Sequence, residues 1–253
     1  MKFGESFRWA RPVSADSVDL DHTGSIEWQV FAHGTGEQHD RVWETYSPME
    51  YRAAFQRFAA VKTPEDAVEF LVRYGPLDWS PAGRSDQELY AKIGEHDSYT
   101  VGLADEWIRQ ANEMRGAVLL HRALSGKDVK ALAAMRKKMP KNGSGELALT
   151  DWATAMLKKI ANTRLKEHTG LVVVGRLDAL DLDVEPTSLL GALWLQFLQV
   201  LLGDVLVRKC ASPSCPEWLV LKPGSRQRTC AGKCRKALSR AKNPKVEGGE
   251  SNG

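Results

Sequence analysis

The first 209 residues of this 253-residue chain contain no cysteine, which excludes a disulfide framework over most of its length. The opening Met1-Lys2-Phe3-Gly4-Glu5-Ser6 lacks an apolar stretch of signal-peptide length, so a cytoplasmic, reducing setting is expected. Long uninterrupted apolar runs are also missing. The nearest approach, 189–206, is broken by Gln196, Gln199 and Asp204. An Asp near the centre of a bilayer helix costs about 3 kcal/mol, so this segment reads as a buried core helix and no membrane association is expected. Familiar catalytic signatures are absent as well: there is no Gly-x-Ser-x-Gly elbow, no P-loop, no Gly-x-Gly-x-x-Gly and no His pair at ligand spacing on a helix.

What is present is a globular composition, 43% hydrophobic and 26% charged, long enough for one large domain or two ordinary ones. The formal charge of +3 conceals a segregation. Between Arg208 and Lys245 eleven Lys and Arg face one acid, Glu217, whereas the remainder carries 24 basic and 31 acidic residues. A basic terminal module on an acidic body points to a polyanion partner for the module and a separate task for the body.

The pattern predicts an α+β body over 1–206, mainly helical with a small β component, a zinc finger with a basic helix over 207–245 and a disordered tail over 246–253. Segments 7–13 and 26–31 read as strands. Tyr51, Phe55 and Phe58 recur at helical spacing after Ser47-Pro48, and Thr63-Pro64-Glu65-Asp66 is a helix start, with Thr as N-cap and Pro in the first turn. Gly75-Pro76 ends that helix. A loop over 78–96 precedes the expected longest helix, 97–124, with Leu103, Trp107, Ile108, Ala111, Met114, Val118 and Leu119 on one face. Helices over 128–139 and 150–166 follow, joined by a turn-rich linker at 138–145. Leu171-Val172-Val173-Val174 and the alternating Leu180 to Glu185 stretch predict a β-hairpin, and Pro186-Thr187-Ser188 caps the apolar helix of 189–206.

All four cysteines fall in the pattern Cys210-x4-Cys215-x14-Cys230-x3-Cys234. Two close pairs separated by an insert make the layout of a four-thiolate zinc site, each pair forming a chelating turn. Trp218 to Leu221 is a short apolar strand inside the insert. The second pair opens a helix, whose positive dipole end helps hold thiolates deprotonated. A knuckle, a hairpin and a ligand-bearing helix together describe a treble-clef-like finger. With every coordination position filled by cysteine, the Zn2+ would be structural. Unpaired structural thiols, a redox dithiol and an iron–sulfur cluster are the other readings of the same residues.

The apolar helix, Cys-x4-Cys, the Trp and aliphatic strand, the basic turn and the Cys pair opening a basic helix resemble the CGNR-type zinc finger of bacterial proteins assigned to stress-response transcription regulation. The resemblance covers about the last fifth of the chain and implies DNA binding. Where that family carries Cys-Gly-Asn-Arg, this sequence reads Cys234-Arg235-Lys236-Ala237. The stretch from Thr63 through Arg73-Tyr74-Gly75-Pro76-Leu77 is similar to one in uncharacterised bacterial proteins with such fingers.

Charge supplies the expected function. Lys233, Lys236 and Arg240 recur at i, i+3, i+7 and share a helix face, and Arg226 and Arg228 precede the third ligand. Such a face neutralises phosphates, and Arg235, Gln227 and Arg240 are the side chains able to read base edges. The expectation is a nucleic-acid-binding regulator, its partner being DNA, with a body that senses, binds a partner or forms a homodimer. One alternative is an interaction protein in which the metal is only a clasp. Another is a metal-dependent nuclease using Asp181, Asp183 and Glu185, which alternate along one strand. His33, His39, Asp40 and Glu44 could form a metal or acid–base cluster, but their Gly-rich setting reads as an exposed turn. The tryptophans Trp9, Trp28, Trp43, Trp79, Trp107, Trp152 and Trp194 read as core, with an effector pocket as the alternative.

Overall fold

A computed structural model describes residues 7–21, 23–29, 43–50, 53–78, 98–138, 148–176, 179–215 and 217–242. It is an α+β protein with seven α-helices and four small antiparallel sheets among these residues. The chain divides into two compact units between Leu198 and Gln199. Among the described residues no helix is long and apolar enough to cross a membrane.

In the first unit, β1 (Trp9–Pro12) pairs with β4 (Trp43–Tyr46), and β3 (Ser25–Gln29) lies between β2 (Val18–Leu20) and β5 (Ser98–Leu103). The β2–β3 turn is organised by Asp21, whose Oδ1 accepts from the backbone N–H groups of Thr23 and Ser25, both at 2.8 Å. Helix α1 is short (Ala54–Phe58), because Pro48–Glu50 takes a separate 3-10 turn and divides the expected run. Helix α2 (Pro64–Tyr74) begins on a full capping box: Thr63 accepts from Asp66, and Asp66 reaches back to the Thr63 backbone.

The end of α2 is held by the first sheet. Trp9 Nε1 donates to Pro76 O at 2.8 Å, the Tyr46 hydroxyl to Tyr74 O at 2.5 Å and Arg11 Nη1 to Arg73 O at 3.3 Å, so side chains of β1 and β4 satisfy carbonyls at and just beyond the helix end. Gly75 sits between, at φ +83°, where a Cβ would lie 1.9 Å from Ala10 O.

The longest helix, α3 (Ala104–Ser125), starts seven residues later than the periodicity suggests. Its expected first turn is strand β5, drawn off by pairing with β3, a partner distant in sequence. Leu103 is consequently 53% exposed, and Leu119 is 44% exposed while Leu120 takes the buried place. Small Ala111, Ala117 and Ala123 let α3 run through the core, where α1, α2, α4 (Val129–Lys138) and α5 (Leu149–His168) pack on it. Around Trp107, Phe70 packs in tilted contact with Phe58 and Tyr74, with ring centroids 5.1 and 4.6 Å apart. Arg164 of α5 joins Glu113 of α3 through two hydrogen bonds.

The α3–α4 junction is a Schellman turn, with Asp128 N donating to Ala123 O and Lys127 N to Leu124 O. The left-handed position falls on Lys127, at φ 54°, and not on Gly126. The hairpin appears as β6 (Thr169–Arg176) and β7 (Ala179–Pro186). Helix α6 (Leu189–Leu201) ends five residues sooner than expected, since 206–209 is drawn into a strand. Gly191 lets α6 pass close to the end of α5: a Cβ there would stand 2.1 Å from His168 O. Of the polar residues that interrupt the apolar run, Gln196 is fully buried and its Nε2 donates to Pro48 O at 2.9 Å.

In the second unit β8 (Leu206–Lys209) and β9 (Trp218–Leu221) form an antiparallel hairpin with Lys209 opposite Trp218, and α7 (Gly232–Lys242) follows. Of the expected linker at 138–145, Lys138 ends α4 and the rest lies outside the described residues, as do most of the 78–96 loop and the tail.

Candidate metal centre

The four cysteines come from two local structures. Cys210 follows β8, and its N–H extends the hairpin ladder to Glu217 O at 2.9 Å. The chain then turns, Cys215 N donating to Ser212 O at 3.1 Å, so that Cys210 and Cys215 both occupy the hairpin tip. Cys230 precedes α7 and Cys234 lies in its first turn, which is the arrangement expected from spacing. Ala211 N donates to Arg228 O at 2.8 Å and ties the tip to the loop leading into α7.

The four Sγ atoms lie within 4.8 Å of one another. Cys230 Sγ is 3.5 Å from Cys215 Sγ and 3.4 Å from Cys234 Sγ, too far for disulfides, and all four thiols are free. A tetrahedral thiolate centre with bonds of about 2.3 Å has edges of about 3.8 Å, comparable with the observed separations. The group could therefore hold a metal ion.

Electrostatics argue in the same direction. Hydrogen bonding from the Ser212 backbone, then from that of Cys230, lowers the Cys210 thiol to about 7. Its neighbour Cys230 is pushed up to about 12, foremost by its hydrogen bond with Cys234 and then that with Cys215. Cys234 is also raised: its bond with Cys230 acts downward, but burial and the other two sulfurs outweigh it. Without a cation Cys210 is biased toward the thiolate while Cys230 and Cys234 are biased toward the thiol, and a divalent ion would offset the repulsion that opposes their ionisation.

Sequence spacing shows these four cysteines but not Ser212, which is 3% exposed, nor the Arg228 carbonyl. Both act through backbone groups, which no residue pattern records. Lys233, Arg235, Lys236 and Arg240 are exposed on α7, and Arg226, Gln227 and Arg228 are exposed in the loop before it. Gln227 Nε2 donates to Thr229 O at 2.9 Å, so one amide donor is engaged within the loop.

The other candidate groups are less developed. Glu44 is exposed and pairs with Arg11 at 2.7 Å, while His33, His39 and Asp40 lie outside the described residues. Asp181, Asp183 and Glu185 stand opposite Val174, Val172 and Gly170, so β6 supplies no further carboxylate to them. Trp9, Trp28, Trp107, Trp152 and Trp194 are buried, whereas Trp43 is half-buried and Trp79 lies outside the described residues.

Comparison of the chain with protein-family models, curated proteins and solved structures finds no match.

Proposed function

We propose that the second unit is a treble-clef-like zinc finger that binds nucleic acid, with DNA as its partner, and that the protein is a regulator whose body serves sensing or association. The observation carrying this reading is the joining of a four-sulfur cluster to a helix with exposed Lys233, Lys236 and Arg240 on one side. Zinc is the metal whose tetrahedral, redox-inert chemistry best suits four thiolates in a small structural unit. The only acid between Arg208 and Lys245 is Glu217, so the module's charge is not internally neutralised. The resemblance to CGNR-type fingers supports the same direction. A cytoplasmic location is part of the proposal.

The test is titration of metal-quantified protein into labelled duplex and single-stranded DNA and RNA at several salt concentrations. About one zinc per chain, with affinity falling linearly in log salt and both weakened and less salt-dependent in Lys236→Glu/Arg240→Glu, is the expected result. Zinc without nucleic-acid binding would leave the module as a structural clasp and direct attention to protein partners.

A further inference from the structure

The acidic body contains a basic region of its own. Residues 127–166 hold ten Lys and Arg against three acids. Those within the described residues lie in the Lys127 turn, α4 and α5, two helices that pack on each other and on α3; Lys141 and Glu146 lie outside them. On α4, Lys130, Ala134, Lys137 and Lys138 are exposed; on α5, Ala155, Lys159, Asn162, Thr163 and Lys166 form one exposed face, with Lys158 beside it.

Ordinary helix electrostatics explains only part of this. Cations in the last turn complement the helix dipole, which accounts for Arg136, Lys137, Lys138 and Lys166. Lys130 is in the first turn of α4, where the dipole opposes it, and Lys158 and Lys159 are in mid-helix. Lys127 occupies a left-handed position that glycine fills at less steric cost. Asp128 does not neutralise them as an ion-pair partner, its Oδ1 accepting from Ala131 N at 2.9 Å. Two acids near α5 are directed elsewhere, Glu113 and Glu167 both binding Arg164, and the other acid on α5, Asp151, lies in its first turn, where the dipole favours it, about two turns from Lys158 and Lys159.

We propose that the outer faces of α4 and α5 form a second polyanion-binding surface, on the body, that takes the phosphate backbone of a nucleic acid. Asn162 and Thr163 add short hydrogen-bonding groups suited to phosphate oxygens. Ala134 and Ala155 occupy these faces, and the one large apolar side chain exposed on α4 or α5 among the described residues, Val129, is too little for the apolar face with which an amphipathic helix enters a lipid surface. The surface goes beyond the finger and does not depend on the finger's activity.

Full-length, zinc-loaded protein is titrated into duplex DNA of arbitrary sequence at several salt concentrations, comparing wild type, Lys130→Gln/Lys137→Gln/Lys159→Gln/Lys166→Gln, the same four positions changed to Arg, and Lys236→Glu/Arg240→Glu. Four lost phosphate contacts make the log–log salt slope shallower by about 3 to 4, while the Arg variant keeps the wild-type slope. Far-UV circular dichroism confirms that each variant is folded. The finger variant retains the part of the slope owed to the body. A glutamine variant with wild-type slope and affinity overturns the proposal, and if the finger variant then binds nothing, the finger reading stands alone. The converse, loss only in the glutamine variant, supports this surface and overturns the finger. Loss of binding to phosphatidylserine vesicles with unchanged DNA binding overturns the proposal in favour of a membrane face.

Discussion

Removing the metal should unfold the second unit and leave the first folded. Apart from the cysteines, the large apolar side chains buried in that unit, among the described residues, are Leu219 and Leu221. At about 1.5–3 kcal/mol each they contribute about 3–6 kcal/mol, whereas structural zinc in small fingers contributes apparent values of about 10–16 kcal/mol at neutral pH. With zinc bound as proposed, the hairpin tip and α7 would be held mainly through the four sulfurs. Fully buried Trp28, Trp107 and Trp194 belong to the other unit and provide it with a core of its own. Chelation, or Cys234→Ser, is followed by amide NMR: signals from 206–242 should collapse toward random-coil positions while those of the body remain dispersed. The body's thermal transition should move by less than about 1 kcal/mol in stability. Dispersed β8, β9 and α7 signals after complete metal removal would refute the reasoning, because a core of two leucines would then suffice.

Gly75→Ala should destabilise the body by more than about 2 kcal/mol in urea denaturation, since the new Cβ meets Ala10 O at 1.9 Å and φ is +83°. Lys127→Gly should have the opposite sign, stabilising by about 0.5–1 kcal/mol in the same assay, because the left-handed position of the Schellman turn then carries no Cβ. Thr63→Ala removes a capping-box partner and should cost about 0.5–2 kcal/mol. The body should also lose stability on acidification below about pH 6.5: burial lowers both His121 and His168 below 6.5, so the unfolded chain takes up protons first. Their contribution is present above 6.5 and declines as pH falls through the folded values. Denaturation midpoints for His121→Gln should show a smaller decline.

The sequence by itself determined the features that depend on neighbours along the chain. Thr63 and Asp66 specify a helix start because both capping partners lie within one turn, and Gly75 marks its end for a similar reason. Cys210, Cys215, Cys230 and Cys234 were legible as one site because each pair is brought together by a local turn or helix. The segregation of basic residues into 208–245 is likewise a property of the chain alone.

Only the tertiary structure decided the remainder. Strand β5 looked helical because Leu103 keeps phase with Trp107, yet pairing with β3 outweighs that periodicity. Helix α6 ends at Leu201, short of its apolar run, because 206–209 pairs with β9, which begins nine residues beyond β8. The basic faces of α4 and α5 emerged only when packing on α3 showed which sides are covered, and Ser212 gained its role through a backbone N–H that spacing cannot record. Local preferences are worth tenths to about one kcal/mol per residue, and long-range pairing and burial override them where the two conflict.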